Sequence, residues 1–287
     1  MNEAQPTGDS VFRAMTDDAG FRVVTLRATQ TVQGILSAQQ VYGATGRHLG
    51  ELATGTALVR ETMSPQLRVQ AILKRGSSPG YLLGDSHPSG QTRGLVGMKP
   101  GAGPFDMQDA VLQVVRSMQD GRVQQGVVSV PDGGDVSQGL MAYMQESEQI
   151  TTMMVVSTLL DGEKVHSAGG YLVQLLPNVA YGLLAIMTER LNDFLNIDAI
   201  IARADFTPRA LCEELLFGMP FTVLEETQLS YGCWCSRASM MGALASISRA
   251  DVQSMVDDGQ VLEITCDYCR QDYRVTPPEL AGLLETN

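Results

Sequence analysis

From Phe21 to Leu176 the apolar positions recur mostly in short alternating runs separated by turn residues, with a few stretches of helical spacing between them. Leu67 to Lys74 sets Leu67, Val69, Ala71 and Leu73 against Arg68, Gln70 and Lys74, with Ile72 the exception, and predicts a strand with one buried face. Phe21 to Val32 predicts another, with Phe21, Val23 and Thr25 on one side. Between them, Gly34 to Arg60 has a helical pattern around a glycine-containing break. Gly76 to Gly103 is dense in Gly, Ser and Pro and predicts turns joining short strands. Val111 to Met118 and Gln124 to Val130 flank Asp120-Gly121 as a hairpin would. Asp135 is placed to cap a helix running to about Gln149, with Val136, Leu140, Tyr143 and Met144 on one face. Ile150 to Leu160 and Ala168 to Leu176 return to strand, with a turn at Asp161-Gly162. Strands mixed with a few helices, without regular alternation, argue for an α+β fold rather than a doubly wound sheet.

The pattern changes after Pro177. Tyr181 to Leu195 carries Leu184, Met187, Leu191 and Phe194 at heptad-like spacing, the mark of an amphipathic helix. Thr207-Pro208 starts a second helix, with proline where its missing N–H costs nothing and Leu211, Cys212, Leu215 and Leu216 as the apolar stripe. From Cys233 the chain becomes a small module. Ser236 and Ser248 open helices, and Gly259 closes the second. Val261 to Cys266 and Asp272 to Val275 are strands, and Thr276-Pro277-Pro278-Glu279 is a capping box for a last short helix. The expected organisation is an α+β core domain over 1–177, a helical linker over 178–232 and a C-terminal module over 233–287.

Charge and composition narrow the function classes. Of 287 residues, 44% are hydrophobic and 18% charged, which is enough apolar matter for a real core. The net charge is −12, so a phosphate backbone is repelled and nucleic acid is not an expected partner. The start, MNEAQPTGDSVFRAM, has neither the basic nor the apolar segment of a secretory signal, and no run reaches the roughly 18 apolar residues of a membrane helix. A cytoplasmic chain without a membrane partner is the expectation. No dinucleotide fingerprint, P-loop or nucleophile elbow is present, so neither ATP nor enzymatic catalysis is expected.

The chemistry concentrates in four of the five cysteines. Cys233-Trp234-Cys235 is followed after thirty residues by Cys266-Asp267-Tyr268-Cys269. In a reducing compartment two close pairs at long separation point to a tetrahedral Zn²⁺ site rather than to permanent disulfides. Three readings compete: a permanently structural zinc, a thioredoxin-like exchange site at Cys266 and Cys269, and a redox switch. The exchange site should stand where a strand meets a helix, yet a polar strand, Asp272 to Val275, follows. Two arguments favour the switch. A module of 55 residues buries little surface, so its metal supplies much of its folding free energy, about 10–16 kcal/mol in apparent binding terms. Zinc also ties Cys235 to Cys266 across a long loop, whereas disulfides Cys233–Cys235 and Cys266–Cys269 would close loops of a few residues and constrain the chain little. Four cysteines allow three connectivities, and the sequence leaves the other two open.

Beyond the cysteines, the blocks SEQIT at Ser147 to Thr151, AGGYLVQLLP at Ala168 to Pro177, RSMQDGRVQQGVV from Arg116 to Val128, and the Gln91-Thr92-Arg93-Gly94 segment occur in one order with the CxC and CxxC pairs. Nearly end to end, the chain resembles the redox-regulated chaperones of the heat-shock protein 33 family. The resemblance implies a core domain for client binding and dimerisation, a helical linker, and a zinc module that holds one Zn²⁺ on Cys233, Cys235, Cys266 and Cys269. It implies an inactive reduced form. Oxidation of the four thiols would release zinc, unfold module and linker, and uncover apolar surface that holds unfolding clients without ATP, as a homodimer. Trp234 between the first two cysteines, the charge-poor Ser236 to Met241 stretch, and Arg270 where glycine is frequent depart from the family pattern and bear on the threshold of activation. Cys212, on the apolar face of its helix, reads as a buried and inert thiol, and His48, His87 and His166 have no ligand spacing. The fifteen methionines suit an adaptable binding surface, although most are expected to fill the core.

Overall fold

The computed structural model describes residues 8–75, 80–99, 101–118, 120–177 and 179–285, so part of the expected turn region, 76–79 and 100, and the N-terminal heptapeptide lie outside it. In chain order it contains β1 (Ser10–Thr16), β2 (Phe21–Arg27), α1 (Thr29–Gln39), α2 (Gly43–Glu61), β3 (Arg68–Lys74), β4 (Gly80–Ser86), β5 (Gln91–Met98), β6 (Val111–Ser117), β7 (Val123–Ser129), α3 (Val136–Glu146), β8 (Thr152–Asp161) and β9 (Lys164–Leu175). There follow α4 (Tyr181–Asn192), α5 (Asp198–Ile201), α6 (Pro208–Leu215), β10 (Phe221–Gln228), β11 (Ser230–Tyr231), α7 (Arg237–Ala245), α8 (Arg249–Asp257), β12 (Leu262–Thr265), β13 (Asp272–Val275) and α9 (Pro277–Glu285). Two units result, one ending at Gly232 and one beginning at Cys233.

In the first unit two sheets enclose α1, α2 and α3. One has the strand order β10-β1-β2-β9-β8, the other β11-β5-β4-β3-β6-β7. The main core joins Val24, Leu26 and Leu172 of the first sheet to Ala71, Leu73, Leu82 and Val114 of the second through Ile35, Leu52, Leu58 and Leu140 of the helices. Helix α2 is buried around most of its circumference. That requires close approach on several sides: a Cβ on Gly55 would stand 2.1 Å from a Leu140 methyl, and one on Gly50 2.6 Å from Thr158 Oγ1.

The five-stranded sheet is covered on its other face too. Phe12, Ala14, Phe21, Val23, Tyr171 and Val173 pack there against Met187, Phe194, Ile201, Leu211, Leu215 and Leu216 from the α4–α6 stretch. Burial on both faces explains the unbroken apolar run from Met153 to Val156. Polar side chains on that face bond to the backbone laid over them. Thr25 Oγ1 donates to the Pro208 carbonyl at 2.7 Å, Ser167 Oγ to Ile201 at 2.5 Å and Tyr171 Oη to Phe194 at 3.0 Å. The heptad-like stripe of the Tyr181 helix thus has its partner.

Two expectations need correction. The strand from Phe21 stops at Arg27, and Thr29 begins α1. Ala28 offers no capping side chain; Asp9 does it from a distance, its Oδ2 accepting from the Thr31 N–H at 2.6 Å and Thr31 Oγ1 at 2.7 Å. The stretch 178–232 is helical only as far as Leu215. Its last part is strand, because β10 completes the ladder along β1, from Ser10 opposite Gln228 to Thr16 opposite Phe221.

The second unit is small. α7, α8, α9 and the β12–β13 hairpin surround Leu244, Val275 and Leu280, with Met241, Met255, Leu262, Ile264 and Leu283 half-buried around them. Its helices start where expected: Ser236 Oγ accepts from the Ser239 N–H at 3.1 Å, Ser248 Oγ from Asp251 at 3.2 Å, and Glu279 Oε2 from Thr276 at 2.9 Å. No described helix is long and apolar enough to cross a membrane.

Candidate metal centre

The second unit gathers the four cysteines of the two motifs. Cys233 and Cys235 lie in the extended segment that leads into α7 at its Ser236 cap, and Cys266 and Cys269 in the turn between β12 and β13. The turn is tight: the Arg270 N–H donates to the Cys266 carbonyl at 2.8 Å, and the Cys266 N–H to the Gln271 carbonyl at 2.9 Å. To close it, Arg270 takes a left-handed conformation with φ of 61°. A Cβ in that region costs about 1–2 kcal/mol, which glycine would not incur. Arg270→Gly is therefore expected to stabilise the unit by about 1 kcal/mol, with part offset by the entropy of glycine when unfolded. A lower melting temperature for the variant would refute this.

The four Sγ atoms lie within 4.8 Å of one another. Cys233 Sγ is 3.8 Å from Cys266 Sγ, and Cys235 Sγ is 3.4 Å from Cys269 Sγ. A Zn–S bond of about 2.3 Å in a regular tetrahedron puts sulfurs about 3.8 Å apart, so the donor set fits a zinc ion in both chemistry and spacing. With protons on the sulfurs, burial above all pushes the Cys269 thiol up to about 12; hydrogen bonds with the thiols of Cys235, Cys233 and Cys266 add to this, against the Gln271 backbone. A thiolate that burial disfavours is favoured again by a divalent cation bound beside it. All four sulfurs lie within 4.8 Å of one another, so distance alone does not select the Cys233–Cys235 and Cys266–Cys269 pairings.

One residue of the site was not apparent from the motif. Tyr273 on β13 is buried, and its Oη donates to Cys235 Sγ at 3.1 Å. Its only signal in the sequence is alternation with Val275, which turns both side chains inward. A hydrogen bond to a ligand sulfur supports its thiolate and orients it. Tyr273→Phe is expected to weaken zinc affinity about tenfold in competition with a chromophoric chelator. An unchanged affinity would remove Tyr273 from the site.

The residues set aside stay outside this centre. Cys212 is completely buried in the cluster over the five-stranded sheet, and burial pushes its thiol up to about 12. His48 stands edge-on to Phe105 and beside Glu51, and His87 Nδ1 hydrogen-bonds with Ser89. Among the described residues the four cysteines are the group spaced to hold a metal.

Known proteins share both the sequence and the fold. The "33 kDa chaperonin" of Syntrophotalea carbinolica is 28% identical over 96% of this chain and 99% of its own length. That of Trichodesmium erythraeum is 26% identical over 96% and 93%. The crystal structure of the 33 kDa chaperonin (heat shock protein 33 homolog) from Thermotoga maritima covers 96% of this chain and 97% of that one with a TM-score of 0.81; at 21% identity this is a likeness of fold. The family profile described as "Hsp33 protein" matches residues 9–276, which takes in both sheets, the covering helices and all four clustered cysteines. The chain belongs to the Hsp33 family.

Proposed function

We propose that the protein is an ATP-independent holdase whose client-binding state is turned on by oxidation of Cys233, Cys235, Cys266 and Cys269. The observation that carries the reading is the pairing of four convergent sulfurs with a unit whose core is only Leu244, Val275 and Leu280 and their half-buried neighbours. So small a core leaves the unit dependent on its crosslink. A bound zinc ion would keep the sulfurs as thiolates and tie the CxC segment to the β12–β13 turn.

A peroxide takes two electrons from each thiolate pair: its O–O bond breaks, one S–S bond forms, and with two protons from the solvent two waters leave. Sulfurs in disulfides no longer hold a divalent cation. Disulfides within Cys233–Cys235 and within Cys266–Cys269 leave the two motifs unconnected, and the segment 233–287 loses its fold. The stretch 178–232 then loses its anchored end and leaves the five-stranded sheet. That uncovers Phe12, Phe21, Val23, Tyr171 and Val173 on one side and Met187, Leu211 and Leu215 on the other. Clients bind the uncovered surface of the 1–177 region, and two activated chains associate through it. The work is binding, not catalysis.

The test treats the reduced, zinc-loaded chain with peroxide at mild heat. Zinc release is followed with a chromophoric chelator, and aggregation of a thermally unfolding client by light scattering. Zinc lost and aggregation suppressed together are the expected result; zinc retained, or lost without suppression, would leave the ion a purely structural role. Cys212 reports the intermediate step. Its buried thiol should alkylate slowly at pH 8 in the reduced protein and at least about 100-fold faster once α6, which carries it, has left the sheet. Equal rates would mean that the helices stay in place.

A further inference from the structure

Strand β10 is attached in an unusual way. Thr222, Val223, Leu224, Glu225, Glu226 and Gln228 are all exposed, Val223 and Leu224 by 41% and 46%. It therefore buries little apolar surface. Its side chains contribute surface pairs with the body of the unit: Glu225 with Arg13, Glu226 with Arg209 at 3.5 Å, and Thr222 Oγ1 with Asp17 at 2.9 Å. Such exposed pairs hold weakly. Apart from Phe221 at the start of the strand, half-buried against the cluster beneath α4–α6, the rest of the attachment is main chain. At the two ends the Leu229 N–H donates to the Asp9 carbonyl and the Asp17 N–H to the Pro220 carbonyl, both at 3.0 Å. Alternation along an antiparallel ladder then turns the N–H and C=O groups of Val11, Arg13 and, beyond the bulge, Met15 toward β10. Those of Ser10, Phe12 and Ala14 turn toward β2.

Beyond Phe221, the place that β10 fills is thus a main-chain docking edge, indifferent to the side chains of its occupant. β10 is also the last long element before the cysteines, separated from Cys233 by residues 229–232 alone. β1 itself is largely buried and ordered by β2, so it keeps its shape when β10 leaves.

We propose that in the activated protein β1 is an open sheet edge that takes an extended main-chain segment of an unfolding client by strand addition, in the position β10 occupies at rest. The proposal rests on the holdase reading above and names the chemistry of the contact. Main-chain pairing gives affinity without sequence preference. It also discriminates by state: a folded protein has its backbone groups paired or its edges guarded, and an unfolding one offers them. Apolar surface alone supplies neither property in this form.

Hydrogen exchange on the full chain, read residue by residue, tests it. The probe is a reduced, carboxymethylated small globular protein that stays unfolded, with light scattering of a second, aggregating client as control. Oxidation should speed exchange at Val11, Arg13 and Met15 by about 100-fold, and the probe should return it to within about tenfold of the resting rate. Ser10, Phe12 and Ala14 should stay slow throughout. Suppressed aggregation with Val11, Arg13 and Met15 still exchanging fast in the presence of the probe would overturn the edge and leave the holdase standing. So would β10 amides that stay protected through oxidation. Unsuppressed aggregation would remove the holdase reading and the edge with it.

Discussion

Cys266→Ser is expected to leave residues 233–287 without a fold while the unit ending at Gly232 keeps its own. Cys266 is the most buried of the four clustered cysteines, 6% exposed, and its backbone holds both ends of the β12–β13 turn. Serine keeps the volume but is a poor ligand for zinc, and it leaves three thiolates where four are needed for a closed site. The apparent binding free energy of a structural zinc site, about 10–16 kcal/mol, is comparable with the whole stability of an ordinary domain, about 5–15 kcal/mol. Leu244, Val275 and Leu280 with a rim of half-buried side chains do not replace it. The zinc content should fall from one per chain to none. Amide dispersion should collapse over α7, α8, α9, β12 and β13 and persist over both sheets of the first unit. A strong chelator should produce the same spectrum from the parent chain. Acid should as well, since proton and metal compete for the same sulfurs. A Cys266→Ser chain that retains one zinc and a dispersed C-terminal spectrum would defeat the idea that the metal holds this unit together.

The legible parts of the fold were those whose cause is local. Asp135, Thr207, Ser236 and Ser248 each cap a helix with an oxygen three residues from the N–H it accepts from, so a short window carries the whole signal. The meeting of the four cysteines was legible for a different reason. Each half of it is a short motif, and zinc chemistry dictates that the halves meet. What escaped has its cause far away in the chain. Helix α1 begins at Thr29 because Asp9 reaches its first turn. β10 has no alternation of its own and is strand because β1, more than 200 residues earlier, has a ladder to complete. Beyond its alternation with Val275, nothing local marks Tyr273; only the packing of β13 against the CxC segment brings its hydroxyl to Cys235. In each case the partner, rather than the residue, decides.

The second large effect concerns the cover on the five-stranded sheet. Met187 is the one fully buried side chain of α4, 1% exposed, while Leu183, Leu184 and Leu191 are only half-buried against the same cluster. A helix of twelve residues with one fully buried side chain belongs to the low-stability end of a structure. Met187→Glu puts a carboxylate at that position. Burying it unpaired costs several kcal/mol, so the helix is expected to leave the sheet rather than bury the charge. The main core between the sheets shares no residue with this cluster and should hold. If uncovering the sheet is what creates the client-binding surface, the reduced, zinc-loaded variant should bind an apolar dye, alkylate at Cys212 and suppress client aggregation with no oxidant present. Met187→Leu, close in volume and equally apolar, should do none of this. The decisive outcome is a Met187→Glu chain with one zinc bound, α4 amides unprotected and no protection of clients. Helix release would then be separate from activation, and the binding surface would have to be made by the unfolding of residues 233–287 instead.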